Sequence, residues 1–452
     1  MKFIQILLKS LKWLAIITLA MVVILTVIYF YKPSLNKDLK EILAKDRKDT
    51  GNKKDNACYY IMGFNARKDK DAYETGLELS EIYRQFELNS DNIKLRIQSR
   101  KLVENSFATR IHINSSDIFY DFLNKNDIEI LLRNRKVFQT ERDKLAYLFD
   151  RYEQIKKTTY YQTPFNPHVN IHPTLFSHIK DYAMIDLALS IIEMTKNKNS
   201  ISRIADDLSF FKNLINHSDD YLLTIFCKDT IEMYNKTINA LISNSSFIES
   251  ITPDLFKENI DIEKSLKGVK LSNIVKEYSS DSFSFMNKLF LVETEIGYNI
   301  TNLNSVNIKS LWIALIVNKN QLLNDYYNNL VVLDNFFIQH SDDSIVKIEN
   351  KDKSINTSIL IYSNFLGMLF NYTYLSDLNG YKDLLHLKLL LKRNSIVKTN
   401  IPDYINSVSD SIRNPYTHQA MLYDAGENSI YFDGPQFEFV LDKTYTRKVY
   451  LD

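Results

Sequence analysis

Hydrophobic and polar positions alternate along this chain in three ways: an unbroken apolar run, long stretches at helical spacing, and a short tail at strand spacing. The run is residues 13–31 (WLAIITLAMVVILTVIYFY), 19 positions without a charge, 11 of them Leu, Ile, Val or Phe. A helix of that length reaches roughly 28 Å at about 1.5 Å per residue, close to the ~30 Å hydrocarbon core of a bilayer. Trp13 stands at one end and Tyr29 and Tyr31 at the other, where amphipathic rings settle among headgroups. The pattern predicts a cytoplasmic tail over 1–12, a transmembrane anchor over 13–31 and a polar stalk over 32–56.

Helical spacing dominates the chain beyond the stalk. Leu79, Ile82 and Phe86 mark one helix within Thr75 to Phe86, and Ile118, Phe122, Ile130, Leu131, Leu145, Leu148, Phe149 and Tyr152 mark the next stretch. Tyr182, Ile185, Leu189 and Ile192 step by three and four residues. So do Ile204, Leu208, Phe211 and Ile215, and so do Ile231, Tyr234, Ile238 and Leu241. Amphipathic helices on short connections, the second broken at 216–220 with Ser218 as an N-cap, predict antiparallel hairpins packing apolar stripes together. Such hairpins are like tetratricopeptide units, but no repeat near 34 residues is present. Pro164, Pro167 and Pro173 place a loop at 163–173, a candidate sub-domain break, because proline removes a donor and restricts its predecessor.

Other segments carry weaker patterns. The stretch 58–64 (CYYIMGF) reads as a brief extended run opening the folded body, ended by Gly63. Pro253 opens a helix-like piece, Ser310 to Ile338 is apolar around Trp312, and 341–354 is a charged loop. Ile355 to Phe370 reads as a buried helix, too short and too rich in Asn and Ser to span a membrane; Tyr381 to Lys392 reads as another. In the tail, Pro402 starts a short helix and Asn414, Pro415 and Tyr416 form a turn. Residues 420–432 read as strand, turn and strand, with Phe437, Phe439 and Leu441 alternating like a third strand. The fold class expected is mostly α: a transmembrane helix, an antiparallel helical-hairpin body over 57–400, and a small C-terminal β-hairpin module over 401–452.

Composition agrees with this. Nine glycines and eight prolines in 452 residues are far below the usual share of about 12%, which disfavours turn-rich β architectures and phosphate-cradling loops. Hydrophobic content of 45% and charged content of 25% are those of a folded globular chain. A net charge of +1 gives no electrostatic case for nucleic acid. Two cysteines, Cys58 and Cys227, make no disulfide scaffold and no four-thiolate metal site; one bridge between them, or two buried thiols, both fit.

Orientation turns on the leading tail. No small residues precede a cleavage point in Tyr29 to Pro33, so the anchor is read as uncleaved. Lys2, Lys9 and Lys12 lead it without an acid. Six bases follow within twenty residues (Lys32, Lys37, Lys40, Lys45, Arg47, Lys48), and a bare count of them favours the reverse orientation. Because a short leading tail usually governs the first helix, the reading is N-in with the body in the periplasm.

Three segments together carry a resemblance: 55–64 with Gly76, the stretch from 145–152 through Ala188 to Ile242, and 414–424 (NPYTHQAMLYD). They resemble a group of bacterial single-pass envelope proteins with a helical periplasmic body and a small C-terminal module. The tail pattern of that group is Asp-Pro-aromatic, and Asn414 departs from it. The resemblance implies an inner-membrane location and bacterial origin, and it puts a catalytic role on no residue.

Candidate chemistry is sparse. His168 and His172 are four apart with His178 beyond, but Pro167 and Pro173 bracket the pair, so solvated loop histidines are favoured over a zinc site. No Gly-x-Ser-x-Gly, Gly-x-x-x-x-Gly-Lys-Ser/Thr or Gly-x-Gly-x-x-Gly occurs, and no cofactor is implied. The acid pairs 206–207, 219–220 and 342–343 read as helix starts or solvated loops. Arg96, Arg100 and Lys101 read as an amphipathic surface. The function expected is a non-enzymatic protein-binding or scaffold module whose partners are the membrane and another envelope protein. The alternative is an anchored hydrolase acting on an envelope polymer through carboxylates the sequence does not single out.

Overall fold

The computed structural model describes residues 37, 52–88, 113, 115–163, 174–197, 200–218, 221–262, 264–265, 357–434 and 447–451. The predicted anchor with Trp13, Tyr29 and Tyr31, most of the stalk, His168 and His172, the Arg96 cluster, Trp312 and the Phe437 alternation lie outside them. No helix among the described residues is long and apolar enough to cross a membrane. Two units are distinguished by internal contacts. Arg47–Lys276, His340–Ile345 and Leu369–Asp452 form one, and Met1–Asp46, Glu277–Gln339 and Val346–Met368 form the other. Nearly all the described residues belong to the first; of the second, only residue 37 and the opening turns of one helix, 357–368, are described.

The first unit is mostly helical, with a small antiparallel sheet near the C-terminus. It opens with α1 (Ala57–Met62), where the sequence pattern predicts an extended run, and α2 (Ala72–Leu88), which contains the helix expected over 75–86. The correction has a local cause. Asn56 caps α1, its Oδ1 accepting from Cys58 N at 3.0 Å and from Gln162 N at 3.1 Å, while its Nδ2 donates to Gln162 O at 2.8 Å. One side chain thus starts a helix and ties it to a distant segment. Gly63 and Gly76 let the two helices touch: a Cβ at Gly76 would sit 1.7 Å from Tyr59 O, and one at Gly63 would sit 1.8 Å from Ala72 O.

The loop between α1 and α2 closes over Arg151. This buried guanidinium donates to Phe64 O at 2.9 Å, Arg67 O at 2.9 Å, Lys70 O at 2.7 Å and also to Ala66 O. It comes from α6 (Ala146–Lys156), the last of four short helices after α3 (Ser115–Lys125), α4 (Glu129–Arg133) and α5 (Arg135–Lys144). Burial lowers the Arg151 pKa, yet four carbonyl dipoles converge on the charge.

The centre is α7 (Thr174–Met194). Every residue from Tyr182 to Ile192 is buried, so the helix is enclosed on all sides rather than along the single stripe its spacing suggests. Phe64 and Phe149 meet the Tyr182 ring edge-on at 5.2 and 5.4 Å. His178 is likewise buried on this helix, not solvated on a loop, with Nδ1 4.0 Å from Asp181 Oδ2.

Next come α8 (Ile201–Asn216) and α9 (Tyr221–Ser243). Phe211 meets Phe226, while Asp207, one turn earlier, meets Tyr234, two turns later; the pair is antiparallel, as the short connection requires. The Pro253 piece is not one continuous helix: it opens with a 3-10 turn, Pro253–Phe256, and is helical again at residues 262, 264 and 265.

The two apolar segments expected at 355–370 and 381–392 are one helix, α10 (Thr357–Arg393). It runs parallel to α9: Tyr374 Oη donates to Glu232 at 2.5 Å, and Lys388 Nζ, further along, donates to Asn239 at 3.0 Å and Ser243 at 2.8 Å. The strap 256–261 is tied to it by a Phe256–His386 stack at 4.9 Å and by Asn379, which bonds both polar groups of the Ile260 backbone. After α11 (Ile401–Val408) the chain forms β1 (Leu422–Asp424), β2 (Ser429–Tyr431) and β3 (Lys448–Tyr450), in the order β1-β2-β3. The hairpin is where the sequence places it, and the described third strand is 448–450. Cys58 and Cys227 are both buried and unbridged.

Candidate functional site

The turn residues Asn414, Pro415 and Tyr416 form a latch between the C-terminal sheet and α10. Asn414 Oδ1 accepts from Tyr416 N at 2.9 Å, which closes the turn, and its Nδ2 donates to Asp433 O at 2.8 Å, which fixes the end of the hairpin. Tyr416 then reaches α10. Its hydroxyl lies 2.7 Å from Asp377 Oδ1 and 2.8 Å from Thr373 O, so one proton serves two acceptors. Arg447, from the residue before β3, donates through Nε to the same Asp377 oxygen at 2.9 Å and packs its guanidinium 5.5 Å from the Tyr416 ring centre.

Glycines admit this contact. A Cβ at Gly380 would stand 2.5 Å from the Phe432 ring and 2.8 Å from Pro415 Cγ; one at Gly434 would stand 2.5 Å from the Tyr416 ring. Burial holds the Asp377 pKa above the usual carboxylate range, against the pull of Arg447 and the Tyr416 hydrogen bond. The site is a structural lock: Asn414, Tyr416 and Asp377 are buried, and Arg447 is partly exposed.

The sheet held by this lock has two unlike faces. Tyr423, Ile430 and Val449 share one cross-strand row, with Ile430 and Val449 in the core. The other face carries the rows Leu422, Tyr431, Lys448 and Asp424, Ser429, Tyr450. Tyr450 is 57% exposed and Leu422 38%. Lys448 Nζ lies 5.9 Å from the Tyr431 ring centre and 5.8 Å from that of Tyr450, paired with Glu427 and 3.6 Å from Asp424 Oδ2. Asp424 also builds the hairpin turn, accepting from Gly426 N at 2.9 Å and Glu427 N at 3.1 Å.

A second polar cluster lies inside the bundle, and the residue pattern does not reveal it. Asp207, expected at a solvated helix start, is 2% exposed in the middle of α8. It accepts from Lys156 Nζ at 2.7 Å and from Tyr234 Oη at 2.6 Å. Nearby, Asp186 of α7 is 1% exposed and accepts from Arg203 Nη2 at 2.6 Å. Burial raises the pKa of both acids, and the charge of Asp186 adds to the rise at Asp207. Two carboxylates with raised pKa resemble an acid–base pair, but their enclosure separates both from a dissolved substrate. The signal present in the sequence is weak: Asp207 adjoins the apolar stripe residue Leu208, while its neighbour Asp206 is exposed.

Many of the aromatic residues that the sequence could not divide between core and surface are core. Tyr59, Tyr152, Tyr161, Tyr182 and Tyr234 are fully buried, and Tyr120 and Tyr450 are exposed. Among the described residues no group of three or more His, Cys, Asp or Glu side chains is placed to hold a metal ion. Compared with family models, curated proteins and solved structures, the chain matches none.

Proposed function

We propose that this chain is a single-pass bacterial envelope protein, anchored by 13–31 with its N-terminus in the cytoplasm, whose helical body presents the C-terminal sheet to a protein partner. The supporting observation is the face carrying Leu422, Tyr431 and Tyr450 on a sheet locked to α10 by Tyr416 and Arg447. Exposed aromatic and aliphatic groups on a rigid support lose little entropy on binding, and tyrosine is prominent among residues that dominate interface energy. The body serves as the support, its buried charges spent on ties within the fold. This is a binding role without catalysis.

The test is site-specific photocrosslinking in intact cells at Tyr450 and Leu422, with exposed Asp206 as the comparison position. A discrete adduct at the first two, absent at the third and lost in a Tyr431→Asp background, is the expected result. Equal labelling at all three positions, or none, refutes the binding face. Separately, removal of residues 1–31 is expected to release the protein from the membrane fraction; a truncated protein still in that fraction refutes the anchor.

A further inference from the structure

One face of α10 is a rail on which the segment 248–261 is laid. Asn379, Lys382, His386 and Arg393 are spaced by three, four and seven residues, which on a helix brings them into one row. Each holds a different part of the segment, in antiparallel order. Arg393 Nη2 donates to Ile248 O at 3.0 Å and also to Ile251 O. The His386 ring stacks on Phe256, with centres 4.9 Å apart and planes 4° from parallel. Lys382 Nζ donates to Asn259 Oδ1, and Asn379 bonds N and O of Ile260 at 2.9 and 3.0 Å. The segment covers apolar surface: Ile251, Leu255, Phe256 and Ile260 are all buried.

Two cations therefore flank the single histidine of the row, and that ring is only half-buried, within reach of solvent protons. The acids around it are committed elsewhere. Asp383 pairs with Lys382 at 2.9 Å, Asp261 with Lys264 at 3.2 Å, and Asp254 with Lys257. Glu258 acts on Lys212 of α8, whose ammonium donates to the Glu258 carbonyl. The face of Phe256 attracts an imidazolium, yet the charges acting on His386 are those of Lys382 and Arg393, both positive. We propose that His386 is an acid-operated release: once it is protonated the rail carries three like charges, and the strap 256–261 lifts from α10, uncovering Phe256 and Ile260.

Burial and the two cations press the His386 pKa down from 6.5 to about 4 while the strap is closed. The released ring regains its ordinary value and binds the proton more readily, so closure is full above 6.5 and weakens as pH falls toward 4. Lys212 acts in a separate window, between about 8 and 10.5. Asp383, raised by burial, favours closure in acid and opposes the release, and Asp261, held low by Lys264, is still charged at about pH 4.5. Between about pH 7.5 and 4.5 the opening equilibrium should rise roughly 50- to 100-fold from His386 alone.

Hydrogen–deuterium exchange on the full chain, corrected for the intrinsic pH dependence of amide exchange, reads this directly. Protection of peptides covering 250–262 should fall by more than about tenfold over that range, with α7 unchanged. His386→Phe keeps a flat ring against Phe256 that cannot be charged, and should abolish the fall. A smaller fall in the parent, or an equal one in His386→Phe, overturns the proposal. The NMR titration of the His386 ring in the parent, assigned by its loss in His386→Phe or His386→Gln, does not depend on how either variant folds at low pH. A midpoint below about 5.5 is expected, and one at or above that value overturns the proposal.

Discussion

Replacing Tyr416 by Phe removes one oxygen and leaves the ring that packs against Phe432 and Arg447. What disappears is a hydrogen bond to the Asp377 carboxylate, in a place where water does not replace it. Bonds to charged groups contribute about 1.5–3 kcal/mol, a factor of roughly ten to a hundred in an opening equilibrium at about 1.4 kcal/mol per decade. Arg447 still serves Asp377 through Nε, so the lower half of that range is expected. The loss falls on the lock and not on the bundle. Hydrogen–deuterium exchange on the full chain should therefore show faster exchange in peptides covering 420–432 and 447–451, with α8 and α9 unchanged. In a double-mutant cycle, Tyr416→Phe and Asp377→Ala should be clearly non-additive, because each removes the same bond. Unchanged exchange in the sheet refutes the lock, and so does an equal loss of protection throughout the protein.

Gly76→Ala drives a methyl group to 1.7 Å from the Tyr59 carbonyl, a backbone atom that moves only if α1 and α2 separate. A loss of about 1–3 kcal/mol or more is expected, and a urea midpoint equal to that of the parent would contradict the close crossing. Lys212, whose Nζ donates to Glu258 O at 2.7 Å, has its pKa pushed down from 10.5 to about 8 by burial and by the nearby Lys382 charge. Between those values the unfolded chain holds the proton that the folded protein has released, so stability should rise with pH by up to about 3 kcal/mol. Denaturation curves of the parent and of Lys212→Met across that range check this, and a constant difference between the two would refute it.

Positions that take their role from sequence spacing are the ones the pattern identifies correctly. The predicted stripe residues Ile204, Leu208, Phe211 and Ile215 of α8 are all buried, as are Ile231, Tyr234, Ile238 and Leu241 of α9. Positions that take their role from a distant partner are misread. Thr373, Asp377 and Gly380 look like an interruption between two helices, yet they are where α10 receives Tyr416, Phe432 and Pro415. Nothing in the spacing marks Lys212 and Lys388, and both are buried against carbonyl or side-chain oxygens of the strap 256–261 and of α9. The run at 58–64 is ambiguous between strand and helix by periodicity alone. Asn56 before Ala57 is the helix-start signal there, and its use as a cap depends on Gln162, more than a hundred residues away.

The tail motif shows why a local pattern can name a turn without naming its purpose. An aspartate at 414 would supply the acceptor that Tyr416 N requires and would close the turn equally well. Asparagine keeps that acceptor as Oδ1 and adds a donor, Nδ2, which it gives to Asp433 O at 2.8 Å. A carboxylate there would face that carbonyl with nothing to donate, close to the buried Asp377 that the same turn approaches through Tyr416. Asparagine thus lets one residue serve both the turn and the hairpin end without adding negative charge near an acid already held protonated more readily than usual. At this position the fold asks for a donor as well as an acceptor, and spacing along the chain carries no trace of that second demand.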